Sequence, residues 1–135
     1  MADNFKFELV SPERLLLSEM VSEVVIPATE GEMTVLVNHA PTMTTIKPGV
    51  VSVRTATGPK RDFVVFGGFA DILPTGTTLL AESAIPVEEL QRDELTRRID
   101  AAQAELDDAQ HHEHKSKLEQ FIMSMTHLRG SVLQD

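Results

Sequence analysis

The chain has 135 residues, enough for one domain with a short appendage, and a formal net charge of −9. Because it has no cysteine, it offers no disulfide, thiol nucleophile or zinc–thiolate site. The negative charge and the absence of Trp and Tyr argue against nucleic acid or an anionic membrane surface as the main partner. The apolar runs are far shorter than the roughly 20 residues of a membrane-spanning helix, and no secretory signal pattern is visible. We therefore expect a soluble, intracellular protein without direct membrane insertion.

Composition changes sharply near Pro86 and predicts two domains. Residues 1–86 hold all seven Pro and six of the seven Gly, whereas residues 87–135 have no Pro and only Gly130. The first composition favours short strands and turns, and the second favours helices. We therefore predict a β domain over residues 1–86 and a helical domain over residues 87–135, an α+β chain.

Short strands separated by turn signals fill the predicted β domain. Phe5, Phe7 and Leu9 alternate with Lys6 and Glu8, as in a half-buried strand. Further strand segments are expected at residues 15–17, 22–26, 33–37, 43–46, 50–54, 62–66, 70–73 and 78–84. The spacers are too short for crossover helices, so these roughly nine or ten strands indicate an antiparallel sandwich or flattened barrel.

Two apolar stripes at helical spacing predict an antiparallel hairpin in the second domain. The first helix is expected from about Val87 to Ala109. Its stripe consists of Leu95, Ile99, Ala102, Leu106 and Ala109. The stripe of the second helix consists of Leu118, Phe121, Ile122, Met125, Leu128 and Val132. The polar segment between the helices, residues 111–116, is short enough to force them antiparallel.

Few residues are candidates for catalysis or metal binding. The helical domain contains a cluster of three histidines, His111, His112 and His114. This cluster falls in a predicted turn, and it has neither a supporting Cys nor the spacing of a helical zinc site, so we predict a solvated turn and no metal. An enzyme that uses Glu32, His39 and Asp71 around a metal is an alternative, although no catalytic order is identifiable in the sequence.

Two other patterns have a structural explanation. The tripeptide Gly67-Gly68-Phe69 lacks the following helix and the Lys-Ser/Thr pair of a phosphate-binding loop, so it predicts a bulge or strand corner. The first helix is acidic, as solvated helix faces often are, whereas the second has more basic than acidic residues. This difference in charge either helps the helices to pair or offers the second helix to an acidic partner.

Six short motifs follow one another in a fixed order with short gaps. They are Val10-Ser11-Pro12-Glu13-Arg14, Glu30-Gly31-Glu32-Met33-Thr34-Val35-Leu36, His39-Ala40-Pro41-Thr42-Met43-Thr44, Ile46-Lys47-Pro48-Gly49, Gly67-Gly68-Phe69 and Leu80-Ala81-Glu82. Each is weak alone, but the ordered set resembles the epsilon subunit of bacterial rotary F-type ATP synthases, called delta in mitochondria. The resemblance spans about residues 5–86, and the helical hairpin that follows has the family's expected length and place.

The resemblance implies a ten-stranded β-sandwich followed by two antiparallel helices, in a non-catalytic rotor subunit without a cofactor. Such a subunit lies in the central stalk, binds the gamma subunit and the ring of c subunits, and couples proton-driven rotation to ATP synthesis. In many bacteria its helices extend toward the alpha and beta subunits and inhibit ATP hydrolysis. The implied location is peripheral, at the cytoplasmic face of the bacterial inner membrane.

The resemblance also implies interface roles for particular residues. Glu32 matches an acidic position that faces the polar loops of the c ring. His39, with Ala40 and Pro41, forms the family's His-Ala-Pro loop close to the stalk contacts. The implied contacts of the second helix with acidic segments of the beta subunit are Lys115, Lys117 and Arg129.

The sequence departs from the family pattern at two places. Val37-Asn38 stands where Pro-Gly is common, but Asn tolerates left-handed geometry, so we expect the turn to persist. Some members bind ATP through a Leu/Ile-Asp-x-x-Arg-Ala motif, whereas the aligned residues 90–95 have Gln for Asp and Glu for Arg. A partial match to the same motif, displaced to residues 99–104, also lacks the Arg. Without a partner for phosphate charge, we expect weak or absent ATP binding and only weak regulation of hydrolysis.

A generic adaptor, in which the hairpin docks into another coiled coil, is the alternative to a rotor subunit. The adaptor predicts that residues 87–135 alone bind the partner. The rotor subunit predicts that most of the affinity for gamma lies in residues 1–86.

Overall fold

Seven strands and two helices form the regular structure of residues 4–91 and 93–132, the part of the chain that the computed structural model describes. The strands are β1 Phe5–Val10, β2 Leu15–Ala28, β3 Gly31–Val35, β4 Thr42–Thr55, β5 Lys60–Leu73, β6 Gly76–Ala81 and β7 Ala84–Pro86. A short 3-10 turn spans Val87–Glu89, and the helices are α1 Glu94–Asp108 and α2 His112–Val132. The chain divides into two units between Glu88 and Glu89, whereas the sequence places the boundary at Pro86.

Five of the strands close into a barrel-like ring. Their order is β1-β6-β5-β4-β2, and β1 also pairs with β2, while β3 adds to β2 and β7 to β5. The prediction of an antiparallel sheet is wrong for one pair of neighbouring strands, because β1 and β6 run parallel to each other. A closed ring with an odd number of strands cannot alternate direction at every step, so one parallel pair is required.

The expected count of about ten strands is wrong, because three pairs of predicted strands are continuous. β2, β4 and β5 each have 14 residues, and each joins two predicted segments. In β4 and β5 the two segments are separated by a turn signal, Pro48-Gly49 and Gly67-Gly68 respectively. The register between β2 and β4 shifts between Val21 and Glu23 and again between Val25 and Ala28. These two turn signals therefore mark bulges and bends within long strands rather than strand ends.

The core of the β domain is built from the inward-facing residues of the strands. The alternation predicted for β1 is confirmed, since Phe5, Phe7 and Leu9 are buried. Other fully buried side chains come from β2, β4, β5 and β6: Val21, Val24, Ile26, Val51, Val53, Phe63, Val65, Ile72 and Leu79. At roughly 25 cal/mol per Å² of apolar surface, such burial is the main contribution to the stability of this domain.

The helices form an antiparallel hairpin, as predicted, because contacts join their opposite ends. Arg129 Nη1 donates to Thr96 Oγ1 at 3.2 Å, and His114 Nε2 lies 3.1 Å from Glu105 Oε1. The buried residues are members of the two predicted stripes: Leu95, Ile99, Ala102, Met125 and Leu128. No helix of residues 4–91 and 93–132 has the length and hydropathy that crossing a bilayer demands.

Both helix starts differ from the prediction. α1 begins at Glu94 rather than near Val87, because β7 extends to Pro86 and a 3-10 turn follows it. α2 begins at His112, inside the segment predicted as a turn. The connection between the helices is therefore shorter than the sequence suggests.

The predicted corner at Gly67-Gly68 is confirmed. Both glycines have positive φ, 111° and 138°, which side chains disfavour. A Cβ at Gly68 would overlap the carbonyl oxygen of Leu80 on β6. The corner therefore needs glycine at position 68 for its backbone conformation and for the close approach of β6.

We expect Gly68→Ala to lower the free energy of unfolding by about 3 kcal/mol or more, because it adds a steric overlap to a positive-φ strain. Gly58→Ala is the matched control, since Gly58 has φ 112° and no atom would contact its Cβ. The control should lose only the backbone strain, about 1–2 kcal/mol. Urea unfolding followed by circular dichroism measures both values, and equal losses would contradict the assignment.

Candidate functional site

A shallow groove with acidic residues on one wall lies at one end of the β domain. Its lining residues are Ala28, Glu30, Gly31, Glu32, Met33, Thr42, Met43 and Thr44. One wall is the turn from β2 into β3 with the start of β3, and the other is the start of β4. Glu30 and Glu32 are exposed, so their carboxylates face solvent. We call this feature the acidic groove.

The acidic groove is anchored to β4 through Thr29. The Thr29 backbone N–H donates to the Thr45 carbonyl at 2.9 Å, and the Thr29 hydroxyl donates to the same oxygen at 3.0 Å. Gly31 has φ 139°, which lets the chain turn back into β3. These contacts hold the acidic turn against the start of β4.

The loop from β3 to β4 is organised around the carbonyl of Ala40. His39 Nδ1 lies 2.9 Å from this oxygen, and the Thr42 hydroxyl donates to it at 3.1 Å. A carbonyl only accepts, so Nδ1 carries the proton and a neutral His39 presents Nε2 as an acceptor. His39, Ala40 and Pro41 thus lead directly into one wall of the acidic groove without lining it.

A row of apolar side chains crosses the outer face of the ring. Phe69 on β5 is opposite Leu80 on β6, Leu80 is opposite Val10 on β1, and Val10 is opposite Leu15 on β2. Phe69, Leu80 and Leu15 are exposed, and Val10 is half-buried. The row spans three strand spacings, roughly 14 Å. We call Phe69, Leu80, Val10 and Leu15 the apolar row.

The next row along the strands is polar. Asp71, Thr78, Glu8 and Ser18 are successive cross-strand neighbours, and the Ser18 hydroxyl donates to Glu8 at 3.4 Å. An exposed apolar patch with a polar rim is characteristic of protein interfaces. The arrangement therefore indicates an interaction surface.

Met43 lies between the acidic groove and the apolar row. It lines the acidic groove, and it also lines a neighbouring hollow with Thr44, Thr45, Gly68 and Phe69. Carboxylates and apolar side chains thus belong to one continuous surface of the β domain. This surface suits two contacts of different chemistry, one polar and one apolar.

The structure does not form the catalytic arrangement of the enzyme alternative. Asp71 is the cross-strand partner of Met43, and Glu32 lines the acidic groove with Met43. Among the described residues, no three His, Asp or Glu side chains are placed to hold a metal ion. Neither Glu32, His39 and Asp71 nor the three histidines around the start of α2 therefore form such a metal site.

The basic candidates of the second helix lie at two separate places. Lys115 and Lys117 are exposed near the start of α2. Arg129 lies more than three turns further along, is half-buried and donates to Thr96. In the hairpin, the three residues do not form a single basic surface.

The apolar row and Met43 are the parts of the site that sequence reasoning missed. The signal was present at Leu79-Leu80, where two adjacent apolar residues interrupt the alternation of a strand. One of the two must face outward, and the structure buries Leu79 and exposes Leu80. The alignment of four such residues across strands depends on register, which the sequence does not reveal.

Comparisons with known proteins agree with this architecture. The family model described as the β-sandwich domain of the ATP synthase delta/epsilon chain matches residues 4–87. The ATP synthase epsilon chain of Rhizobium johnstonii is 83% identical over 135 residues, covering 100% of both chains. The epsilon chain of Agrobacterium fabrum is 65% identical over 129 residues, covering 95% of both.

Solved structures with a similar fold come from mitochondrial ATP synthases. A chain of the Euglena gracilis assembly described as OSCP/F1/c-ring aligns with a TM-score of 0.77 at 24% identity, over 99% of this chain and 84% of that one. A chain of the Tetrahymena thermophila central stalk/c-ring structure aligns with a TM-score of 0.58 at 16% identity, over 67% and 72% of the two chains. At these identities the likeness concerns the fold.

The turn before His39 gives a test of the loop. Asn38 has φ 62°, and the His39 N–H donates to the Leu36 carbonyl at 3.2 Å. We expect Asn38→Gly to change stability by only a few tenths of a kcal/mol, whereas Asn38→Val should lose about 1–2 kcal/mol, since a β-branched residue resists positive φ. Urea unfolding measures the difference, and equal stability of the two variants would refute the role of the turn.

Proposed function

The chain belongs to the family of ATP synthase delta and epsilon chains, and we propose that it is a non-catalytic rotor subunit of the central stalk. In this role it binds the gamma subunit and the ring of c subunits and couples proton-driven rotation to ATP synthesis. The observation that carries the proposal is the continuous surface from the acidic groove to the apolar row. The two similar solved structures come from assemblies whose descriptions name the c ring, and one of them names the central stalk.

The apolar row is the proposed contact for gamma. A lasting contact between subunits gains most of its free energy from apolar side chains at its centre, with polar groups around them. Leu80 and Val10 are central in the row, and the polar neighbours Thr78 and Glu8 lie beside them. His39, whose Nδ1 contacts the Ala40 carbonyl, has a second ring nitrogen that adds a hydrogen-bonding group near the same surface.

The acidic groove is the proposed contact for the c ring. Glu30 and Glu32 are exposed, and carboxylates of this kind suit a wet contact with polar or basic loops. Such a contact sets register and orientation more than affinity. It therefore complements the apolar contact to gamma, which supplies the affinity.

The helical hairpin is the proposed regulatory element, with the alpha and beta subunits as its partners. Lys115 and Lys117 are free to meet acidic segments, but Arg129 first has to leave Thr96. Leu90 and Gln91 precede α1, and Arg92 lies outside the described residues. We propose weak regulation and no specific ATP binding, in a subunit that is peripheral at the cytoplasmic face of the bacterial inner membrane.

The alternative is an adaptor that docks through its hairpin. The observation that favours it is the hollow between α1 and α2, whose lining combines the apolar residues Ala101, Ala102, Leu118 and Phe121 with Arg98 and Glu105. The two functions differ in which part of the chain binds. The β domain has a core of its own, so the two parts are suitable for separate assays.

The experiment that tests the rotor role mixes the purified chain with its cognate gamma subunit and measures mass by size exclusion and affinity by calorimetry. We expect a stable one-to-one complex that residues 1–86 retain. Leu80→Lys should weaken it at least about tenfold, because an ammonium group in the apolar row loses hydration. Met123→Lys, at an exposed methionine of α2, is the control and should bind normally. Binding by residues 87–135 alone, or no complex at low and moderate salt, contradicts the rotor role.

A charge reversal tests the c-ring contact. We expect Glu32→Lys to reduce retention of the chain on gamma–c-ring complexes, with the largest loss at low salt, where charge interactions are least screened. Glu119→Lys makes the same charge change at an exposed position of α2 and should have no effect. Co-purification over a series of salt concentrations gives both results. Equal retention of the two variants would rule out a role for Glu32.

A further inference from the structure

The methionines are the main oxidisable side chains of this protein. The sequence has no Cys, Trp or Tyr but six Met. Oxidation of methionine follows exposure, because the thioether must meet the oxidant. Among the methionines that the structure describes, three are exposed: Met43 at 68%, Met123 at 72% and Met20 at 49%. Met33 is half-buried, and Met125 is fully buried.

Of the exposed methionines, Met43 lies within the proposed interaction surface. It lines both the acidic groove and the hollow that contains Phe69, and Asp71 is its cross-strand partner. Met20 lies on β2 opposite Lys6, two rows from the apolar row, and Met123 is on α2. Oxidation at Met43 therefore changes the surface at the point where its apolar and polar parts meet.

We propose that Met43 is a redox-sensitive modification site that controls binding of the gamma subunit, an inference that rests on the proposed function. A peroxide transfers one oxygen atom to the Met43 sulfur. The peroxide O–O bond breaks, an S–O bond forms, the sulfur is oxidised to the sulfoxide, and hydrogen peroxide is reduced to water. The sulfoxide is polar and reversible by methionine sulfoxide reductases.

Oxidation acts on the chain before assembly. In the free chain Met43 is open to solvent, whereas gamma seated on the apolar row covers it. A sulfoxide at this position adds a polar oxygen that costs free energy to bury. It also lies beside the carboxylates of Asp71, the cross-strand partner of Met43, and of Glu32, which lines the same groove, and an ionised carboxylate cannot donate a hydrogen bond to it. Oxidised chains therefore bind gamma less tightly than unoxidised chains do, and assembled chains are protected from oxidation.

The test treats the full-length chain with hydrogen peroxide, maps sulfoxides by peptide mass spectrometry and measures affinity for gamma before and after. We expect oxidation of Met43 to lower the affinity about tenfold, and methionine sulfoxide reductases to restore it. Met43→Leu keeps a similar apolar volume, and we expect its affinity for gamma after peroxide treatment to equal its own affinity before treatment. Met123→Leu and Met20→Leu are matched controls, and both should remain peroxide-sensitive.

The same experiment distinguishes failure of the proposed function from failure of the Met43 redox site. If the untreated chain does not bind gamma, the proposed function fails, and this inference fails with it. If the untreated chain binds but oxidation of Met43 leaves its affinity unchanged, or Met43→Leu is as peroxide-sensitive as the native chain, only the inference is overturned. Slower oxidation of Met43 in the preformed gamma complex than in the free chain is the third expected result, and an equal rate would overturn the protection by assembly.

Discussion

The parallel seam between β1 and β6 is the contact on which the rest of the β domain depends. Its register runs from Lys6 opposite Gly76 to Val10 opposite Leu80, and it turns an open sheet into a ring. The approach is close, since a Cβ at Gly76 would lie 3.1 Å from the Lys6 carbonyl oxygen. Closure removes two exposed strand edges, which otherwise invite aggregation, and it buries Phe7.

The seam also creates the interaction surface. Leu80 and Val10 belong to strands that are distant in sequence, and only ring closure places them side by side. The apolar row is therefore a property of the closed ring and of no single strand. A partner that binds across the row holds the seam shut, so binding and stability of the β domain are linked.

Local patterns account for the parts of the fold that the sequence predicts. Alternation in β1 and the helical stripes identify buried faces, and Asn38 and Gly67-Gly68 identify backbone positions that need positive φ. The merging of predicted strands was not predictable, because a bulge and a turn use the same residue types. Glu32 and His39 came from the ordered motifs, whereas the apolar row depends on register between distant strands. The parallel seam follows from the ring having five strands, a number that no local pattern contains.

The two units differ in how firmly their parts are held. The β domain has a continuous core, and opening it would expose many large apolar side chains at once. The hairpin buries five residues within its helices, and its cross-helix polar contacts, at Arg129 and at His114, are partly solvent-exposed. Exposed contacts of this kind contribute only about 0–1 kcal/mol each. Separation of the two helices therefore requires less free energy than opening the ring, so the regulatory change that we propose for this subunit would begin in the hairpin.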